Sequence, residues 1–199
     1  MKKRNWTPDW FLKSVLDMHI NAMVNRYSCL RVIRLDLFYQ KNTFKYHHPD
    51  HRQMESDVRH LMDEMMNIPA VVGYFWVIEW TEDHLFHAHV AFWLDGNRTQ
   101  KPFFWMEKAG ECWRVVTEND GCYYRCEYKT NYEADINMPV HYNDPVSINN
   151  MQQVLLYMTK IEQKNTLLLH GCNEVPNRSL SGRPRKLSGL RPTADRYLA

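Results

Sequence analysis

The chain has 199 residues, of which 44% are hydrophobic, 24% charged and 13% aromatic, and its formal net charge is +2. These values predict one globular domain and exclude a disordered or low-complexity protein. No apolar run approaches the roughly 18 residues of a membrane span, and no glycine-rich phosphate loop indicates an ATPase or helicase domain. The five cysteines, with no export signal in the first residues, favour reduced thiols and a cytoplasmic location.

Helix and strand patterns alternate along the chain. In chain order they predict a helix over 7–26, a strand over 29–39, a polar loop over 40–50, a helix over 53–67, strands over 71–80 and 85–94, a helix over 103–116, a strand over 122–129 and a helix over 147–164. Thr7 with Pro8 is the expected start of the first helix, and Ser147 is the expected cap of the last. The order favours an α+β fold in which helices pack on one face of a central antiparallel sheet. Its β-α-β-β-α-β part is typical of the ferredoxin-like arrangement, which RNA-recognition domains share.

The end of the chain is basic. Between 177 and 199 six basic residues stand against one acid, Asp195: Arg178, Arg183, Arg185, Lys186, Arg191 and Arg196. A basic tail on a nearly neutral body suits a polyanion such as nucleic acid. The alternative is a solvated segment that keeps the protein soluble.

His87 and His89 are the first candidates for chemistry. They are two positions apart on a predicted strand, so their imidazoles leave the same face of the sheet and could bind a divalent metal. Glu79 lies in the preceding strand, roughly opposite His87 in a hairpin centred near Asp83. A carboxylate in an apolar strand is costly to bury without a partner, and a metal would provide one. The alternative is an exposed sheet face on which histidine and glutamate form hydrogen bonds.

Tyr157 and Lys160 are the second pair of candidates. On the predicted helix over 147–164 the apolar residues form one broad arc, with Tyr157 at its edge and Gln153, Lys160 and Lys164 on the polar side. Tyr157 and Lys160 are three positions apart and therefore share a face. A nearby ammonium favours the phenolate form of a tyrosine nucleophile and stabilises charge on a phosphoryl group. The alternative is an edge tyrosine that packs its ring and exposes its hydroxyl.

Together these two motifs resemble the HUH endonuclease superfamily, which comprises rolling-circle replication initiators, relaxases and single-strand transposases. The segment 87–89 has the small apolar middle residue of the family motif, and the one tyrosine on the last helix resembles the single-tyrosine branch. The segments most similar to inovirus-type replication proteins and their prophage relatives are 34–37, 73–79, 87–89 and 157–163. This similarity spans roughly 29–189, although 183–189 matches the family's basic end only loosely.

The resemblance implies a metal-dependent endonuclease that nicks single-stranded or hairpin DNA. In this family two histidines and a third polar residue, here His87, His89 and Glu79, hold Mg²⁺ or Mn²⁺. The tyrosine, here Tyr157 with Lys160 assisting, attacks the scissile phosphate and leaves a 5′-phosphotyrosine and a free 3′-hydroxyl. The product would start rolling-circle replication of a phage or prophage element in the bacterial cytoplasm, with a host helicase separating the strands. The residues expected to hold the DNA are Arg34, Gln153, Lys164, Arg183, Arg185 and Lys186.

Asp36 and three cysteines each allow more than one interpretation. On a ferredoxin-like sheet the first strand lies beside the His-x-His strand, so Asp36 could orient a histidine or bind the metal. It could equally pair with Arg34, two residues away on the same face. Cys112, Cys122 and Cys126 suggest a zinc site, but their spacing matches no familiar zinc module, and buried or idle thiols are the other interpretation.

Two other functions fit the same sequence. A single-strand DNA transposase or recombinase would use the same residues and would differ by joining two DNA ends. A non-catalytic nucleic-acid-binding regulator would need neither the metal nor Tyr157. The sequence lacks the aromatic signature that RNA-recognition domains present on their central strands, which counts against the regulator.

Overall fold

Most helices and strands lie where the hydrophobic patterns predict them. The computed structural model describes residues 6–130, 132–162 and 168–178. Its helices are α1 (Trp10–Arg26), α2 (Phe44–His47), α3 (His51–Met66), α4 (Pro102–Val116) and α5 (Pro145–Leu155), and a 3₁₀ turn (Leu156–Thr159) follows α5. Its strands are β1 (Cys29–Tyr39), β2 (Val71–Thr81), β3 (Leu85–Asp95), β4 (Gly121–Arg125), β5 (Val140–His141) and β6 (His170–Cys172). The short helix α2 lies inside the predicted polar loop, and β5 and β6 were not predicted.

The six strands form one open antiparallel sheet, which confirms the predicted α+β class. Along the sheet the order is β4-β1-β3-β2-β6, and β5 pairs with the first residues of β1. The hairpin of β2 and β3 places Glu79 opposite His87, as its turn predicts. β1 lies on the other side of β3 and places Asp36 opposite His89. Residues directly opposite each other share a sheet face, so these four side chains emerge on the same side.

Helices cover both faces of the sheet, and the prediction that they pack on one face was wrong. On one face α3 and α4 pack against residues such as Ile33 and Phe92. On the other face α1 and α5 pack against residues such as Phe75 and Trp93. The physical reason is that β3 is buried at every position from 87 to 94, so its two faces both need a cover that excludes water.

The first helix starts later than predicted, because the segment before it forms a strand-like pairing. Pro8 forms an isolated antiparallel bridge with Lys160, which keeps this segment extended. Asp9, not Thr7, caps α1, and its carboxylate accepts a hydrogen bond of 2.8 Å from the backbone N–H of Leu12. The bridge connects the start of the described chain to Lys160, the predicted partner of Tyr157.

The last helix is shorter than predicted and ends before Tyr157. The Asp144 carboxylate accepts hydrogen bonds from the N–H groups at the start of α5, so Asp144 and not Ser147 is the cap. The helix ends at Leu155, the chain tightens into the 3₁₀ turn, and Lys160 is extended with φ −63° and ψ 143°. Lys160 is therefore buried, and the prediction that it lies on the polar side of a helix was wrong.

The edges of the sheet account for the remaining differences. β4 ends at Arg125 and does not reach 129 as predicted. After Cys126 donates its N–H to the Arg34 carbonyl, the Glu127 N–H turns back to the Arg125 carbonyl and ends the pairing. β5 and β6 have two and three residues, too few to show an alternating pattern. None of the described helices is both long and apolar enough to cross a membrane.

The two buried sheet faces can be tested at Phe92 and Trp93. These residues are neighbours in β3, point to opposite faces of the sheet and are fully buried. We expect Phe92→Ala and Trp93→Ala each to lower the free energy of unfolding by about 3–5 kcal/mol in urea titrations. Phe104→Ala, at a ring that is more than half exposed on α4, is the control and should change it by less than about 0.5 kcal/mol. A core variant that matches the control would show that its sheet face is not a core.

Candidate metal centre and nucleophile

Three potential metal ligands meet on the sheet face that α1 and α5 cover. Glu79 comes from β2, and His87 and His89 come from β3. Each offers one ligand atom, and these atoms all lie within 4.8 Å of one another. All three residues are buried, at 2%, 6% and 4% exposure respectively. The negative charge of a buried carboxylate is costly, and a divalent ion bound by Glu79 and the two imidazoles would offset it, as the sequence predicts.

Hydrogen bonds turn both imidazoles so that Nε2 faces the carboxylate. The Nδ1 atom of His87 lies 3.1 Å from the Leu85 carbonyl oxygen, which can only accept, so Nδ1 carries the proton. The Nδ1 atom of His89 lies 2.5 Å from Asp36 Oδ1. On the other side of the rings, Glu79 Oε2 is 3.2 Å from His89 Nε2 and 4.0 Å from His87 Nε2. The two Nε2 atoms and one carboxylate oxygen therefore form a donor set that could hold a divalent metal ion.

Burial keeps His87 in the neutral form that can bind a metal. Desolvation, with a smaller contribution from the neighbouring His89 ring, lowers the pKa of His87 from 6.5 to about 4. At neutral pH its imidazole is therefore uncharged. Its Nε2 atom carries no proton, so no proton has to leave before Nε2 binds a cation.

Asp36 orients His89 and also pairs with Arg34, so two of the roles considered for it from the sequence are both present. Its Oδ1 accepts from His89 Nδ1 and, at 3.1 Å, from the Arg34 guanidinium. Burial alone would raise the pKa of the Asp36 carboxyl, but the neighbouring His89 ring and the Arg34 guanidinium outweigh burial and hold that pKa well below its usual range. Asp36 stands behind His89 and is not one of the three residues that converge on the candidate metal position.

Tyr157 lies beside the three ligands, held between two cations. Lys160 Nζ donates a hydrogen bond of 2.5 Å to the Tyr157 hydroxyl and lies 3.5 Å from Glu79 Oε2. The Arg34 guanidinium covers the Tyr157 ring at 4.6 Å, and the His89 ring meets it edge-on at a centroid distance of 5.6 Å. Positive charge on two sides of the ring stabilises negative charge that develops on its oxygen. The predicted contact between Tyr157 and Lys160 is present, although a 3₁₀ turn and not an α-helix creates it.

The other residues predicted to hold DNA have different outcomes. Arg34 is buried under Tyr157 and is bound to Asp36, so it does not lie on an open surface. Gln153 is half-buried on α5 and lines a cleft beside Tyr157. The remaining predicted DNA contacts lie outside the described residues: Lys164, Arg183, Arg185 and Lys186.

The three cysteines do not form a zinc site. Within the described parts of the chain, the only group with the geometry to hold a metal is the Glu-His-His group above. Cys112, Cys122 and Cys126 are free thiols that are partly buried. Burial raises the pKa of Cys126 to about 12, so it is a protonated, unreactive thiol. The alternative of idle thiols fits this structure.

Part of the cleft beside Tyr157 has no signal in the sequence. Trp6, Tyr128 and Tyr132 line it, and they come from segments without regular secondary structure that are far apart in the chain. No periodic pattern marks such residues, because only the fold brings them together. Trp6 also meets the Tyr157 ring edge-on at a centroid distance of 5.9 Å.

The role of Asp36 gives a prediction about metal affinity. Asp36→Asn keeps the shape of the side chain but removes the charge that fixes the His89 tautomer, so we expect Mn²⁺ affinity to fall about 10- to 100-fold in isothermal titration calorimetry. Asp95→Asn, at the far end of β3, is the matched control and should bind Mn²⁺ like the unaltered protein. Equal affinities for Asp36→Asn and the control would contradict an orienting role for Asp36.

Comparison with known proteins adds no relative to this picture. No protein-family model matches the chain, and neither a curated protein nor a solved structure matches it.

Proposed function

We propose that the protein is a metal-dependent endonuclease and strand transferase that acts on single-stranded or hairpin DNA. Tyr157 is the nucleophile, Lys160 its partner, and Glu79, His87 and His89 the metal ligands. By its resemblance to the single-tyrosine HUH enzymes, its role is to start rolling-circle replication of a phage or prophage element in the bacterial cytoplasm. A host helicase would separate the strands.

One observation carries this proposal, namely a chain of contacts from the tyrosine to the ligand group. Lys160 Nζ is within 2.5 Å of the Tyr157 hydroxyl and within 3.5 Å of a Glu79 oxygen, which itself contacts His89. A buried lysine that joins a tyrosine hydroxyl to a Glu-His-His group has no evident structural use, because a wholly apolar cluster would cost less to bury. The same arrangement would let a nucleophile, a cation and three metal ligands act together on one phosphate.

The reaction follows from what these side chains can do. Glu79, His87 and His89 would hold Mg²⁺ or Mn²⁺, which when bound withdraws charge from the oxygens of a phosphate diester. The Tyr157 oxygen attacks phosphorus and forms an O–P bond, and the P–O3′ bond breaks. The phenolic proton passes to solvent, and the departing 3′-oxygen takes a proton from solvent. Lys160 stabilises the charge on the attacking oxygen, and the covalent ester conserves the bond so that a 3′-hydroxyl can reverse the step.

The fold supports the proposal at a coarser level. Apart from the one-turn helix α2 between β1 and α3, the chain from β1 to β4 has the β-α-β-β-α-β order of a ferredoxin-like unit, and its strands lie in the order β4-β1-β3-β2. We therefore propose that this part is a ferredoxin-like HUH domain, with α1, α5, β5 and β6 added around it. The Glu-His-His group lies on the adjacent strands β2 and β3, where a rigid sheet positions ligands well.

A denaturing gel with end-labelled DNA tests the proposal. The substrate is single-stranded DNA from the element that encodes the protein, including its hairpins, with Mn²⁺ or EDTA. A 5′-phosphotyrosine leaves the 3′ part of the strand on the protein. With Mn²⁺ we therefore expect a 3′ label to shift to the size of a covalent complex. A 5′ label should instead appear on a shorter free strand that a polymerase can extend.

The two labels and the chelator make the outcome decisive. EDTA should abolish both products, because the metal ligands then lack their ion. If neither label changes size with any strand from the element, while a native gel shows binding, the protein is a non-catalytic DNA-binding regulator and the proposal is wrong. Transfer of the 3′ part to a second DNA end, with no replication start, would favour the transposase alternative.

A further inference from the structure

A cleft of about 540 Å³ opens directly beside Tyr157. One wall comes from β1 and α5, with Arg34 and Gln153, and Tyr157, the candidate nucleophile, also lines the cleft. A second wall comes from the end of β4 and the connection to β5. The volume falls in the range of small-ligand pockets, roughly 300–1,000 Å³, so it can take one nucleotide.

Three tyrosines on the second wall keep much of their surface exposed. Tyr124, Tyr128 and Tyr132 are 50%, 40% and 49% exposed, although each carries a large ring that folding could have buried. They occur within nine positions of one another at the mouth of a single cleft. Aromatic rings presented in this way form stacking platforms for unpaired bases, and each stacked base adds about 5- to 150-fold to affinity.

The charges in the cleft favour a base over a phosphate. Glu127 and Glu133 also line it, and Glu127 is paired with Arg125 at 3.2 Å. Carboxylates repel phosphates, whereas they accept hydrogen bonds from the amino groups of bases. Among the residues that line this cleft the cation is Arg34, which lies against Tyr157 and is paired with Asp36, a third carboxylate of the lining. A nucleotide would thus place its phosphate toward Tyr157 and its base between the tyrosines and the carboxylates.

We propose that this cleft is a subsite for one unpaired nucleobase of single-stranded DNA, stacked on Tyr128 and Tyr132 beside the scissile phosphate. This inference rests on the proposed function, because it takes the phosphate next to Tyr157 as the one that reacts. The subsite would explain why the substrate is single-stranded DNA, because a base in a duplex cannot enter the cleft without losing its pairing partner.

The test measures binding without cleavage. Fluorescence anisotropy in EDTA compares a labelled 20-nucleotide oligo-dC with an abasic strand of the same length, which keeps every phosphate but has no bases. We expect the full chain to prefer the strand with bases. The double variant Tyr128→Ala/Tyr132→Ala should lose about 5- to 150-fold in affinity for oligo-dC and little for the abasic strand. Tyr128→Phe/Tyr132→Phe keeps both rings and should bind oligo-dC within about twofold of the unaltered protein.

Each outcome bears on the cleft alone. Phe104→Ala, at an exposed ring on α4, controls for general loss of aromatic surface and should leave both affinities unchanged. Equal losses for the two strands would show that the tyrosines contact the backbone, and no loss would show that the cleft holds no DNA; either result overturns the proposal. The metal-dependent covalent complex does not enter this assay. A normal base preference without any covalent product would contradict the proposed reaction and leave the cleft proposal standing.

Discussion

Tyr157→Phe should abolish the covalent complex with DNA while the protein still binds DNA and metal. The change removes one oxygen and keeps the ring, which packs between Arg34, His89 and Trp6. Loss of the nucleophile should lower the yield of the 3′-labelled complex at least about 1,000-fold, to below detection on the gel. The metal ligands are untouched, so Mn²⁺ affinity in calorimetry should change by less than about threefold.

The matched control for this prediction is Tyr128→Phe, which removes a hydroxyl from a neighbouring ring. It should form the covalent complex normally, because the ring and not the hydroxyl provides stacking. Protease digestion of the complex, followed by mass spectrometry, should place the nucleotide on the peptide that contains residue 157. A complex that persists in Tyr157→Phe, or that maps to another tyrosine, would show that the nucleophile is misassigned.

The sequence predicts the centre of the sheet well because its signals there are local. β1 runs from Cys29 to Tyr39, as the sequence predicts, and the hairpin register of Glu79 against His87 follows from a short polar turn. Turn length and a two-residue alternation fix which side chains share a face, and neither needs information from distant parts of the chain. The candidate ligand group is thus predictable before the fold is known.

The surroundings of the ligand group are not predictable in this way, because distant segments create them. Lys160 is buried because the chain leaves the helix after Leu155 and pairs with Pro8, and helical periodicity cannot show such a pairing. The second helical layer also depends on contacts between distant segments. Helix α1 precedes every strand in the chain, yet it packs on the sheet. Tyr128 and Tyr132 of the cleft lie in irregular segments, for which periodicity has no signal.

Asp36 shows how the two levels combine. Its neighbours in the sequence allow a pair with Arg34, and its place on the first strand allows a contact with His89. The fold satisfies both, because β1 and β3 are adjacent and Asp36 lies opposite His89. Whether one carboxylate can bind both groups depends on which strands are neighbours in the sheet. Sequence patterns predict that strand order only by analogy to a known fold.

Glu79→Gln should remove most of the metal binding without changing the shape of the site. Glu79 is the one carboxylate in the group, and its Oε2 atom contacts His89, His87 and Lys160. Glutamine keeps the volume but not the charge that attracts a divalent ion, so we expect Mn²⁺ affinity to fall at least about 100-fold. The covalent complex with DNA should fall with it. Lys160 then lacks a counter-charge, so the metal-free variant should also melt at a lower temperature than the unaltered protein.

Thermal unfolding measures this prediction through ligand linkage. At a Mn²⁺ concentration of about 100 times the dissociation constant, binding stabilises the folded state by about 2.7 kcal/mol, which raises Tm by roughly 5–10 °C for a chain of this length. After a 100-fold loss of affinity the same concentration gives about 0.4 kcal/mol, or roughly 1–2 °C above the variant's own metal-free Tm. Glu82→Gln, at an exposed glutamate in the β2–β3 turn, is the matched control and should keep the full rise. EDTA should reverse the rise in Tm in the unaltered protein and in Glu82→Gln. If Glu79→Gln keeps the full rise while EDTA removes it, the ion binds elsewhere, and the Glu-His-His group is a hydrogen-bonded cluster on the sheet.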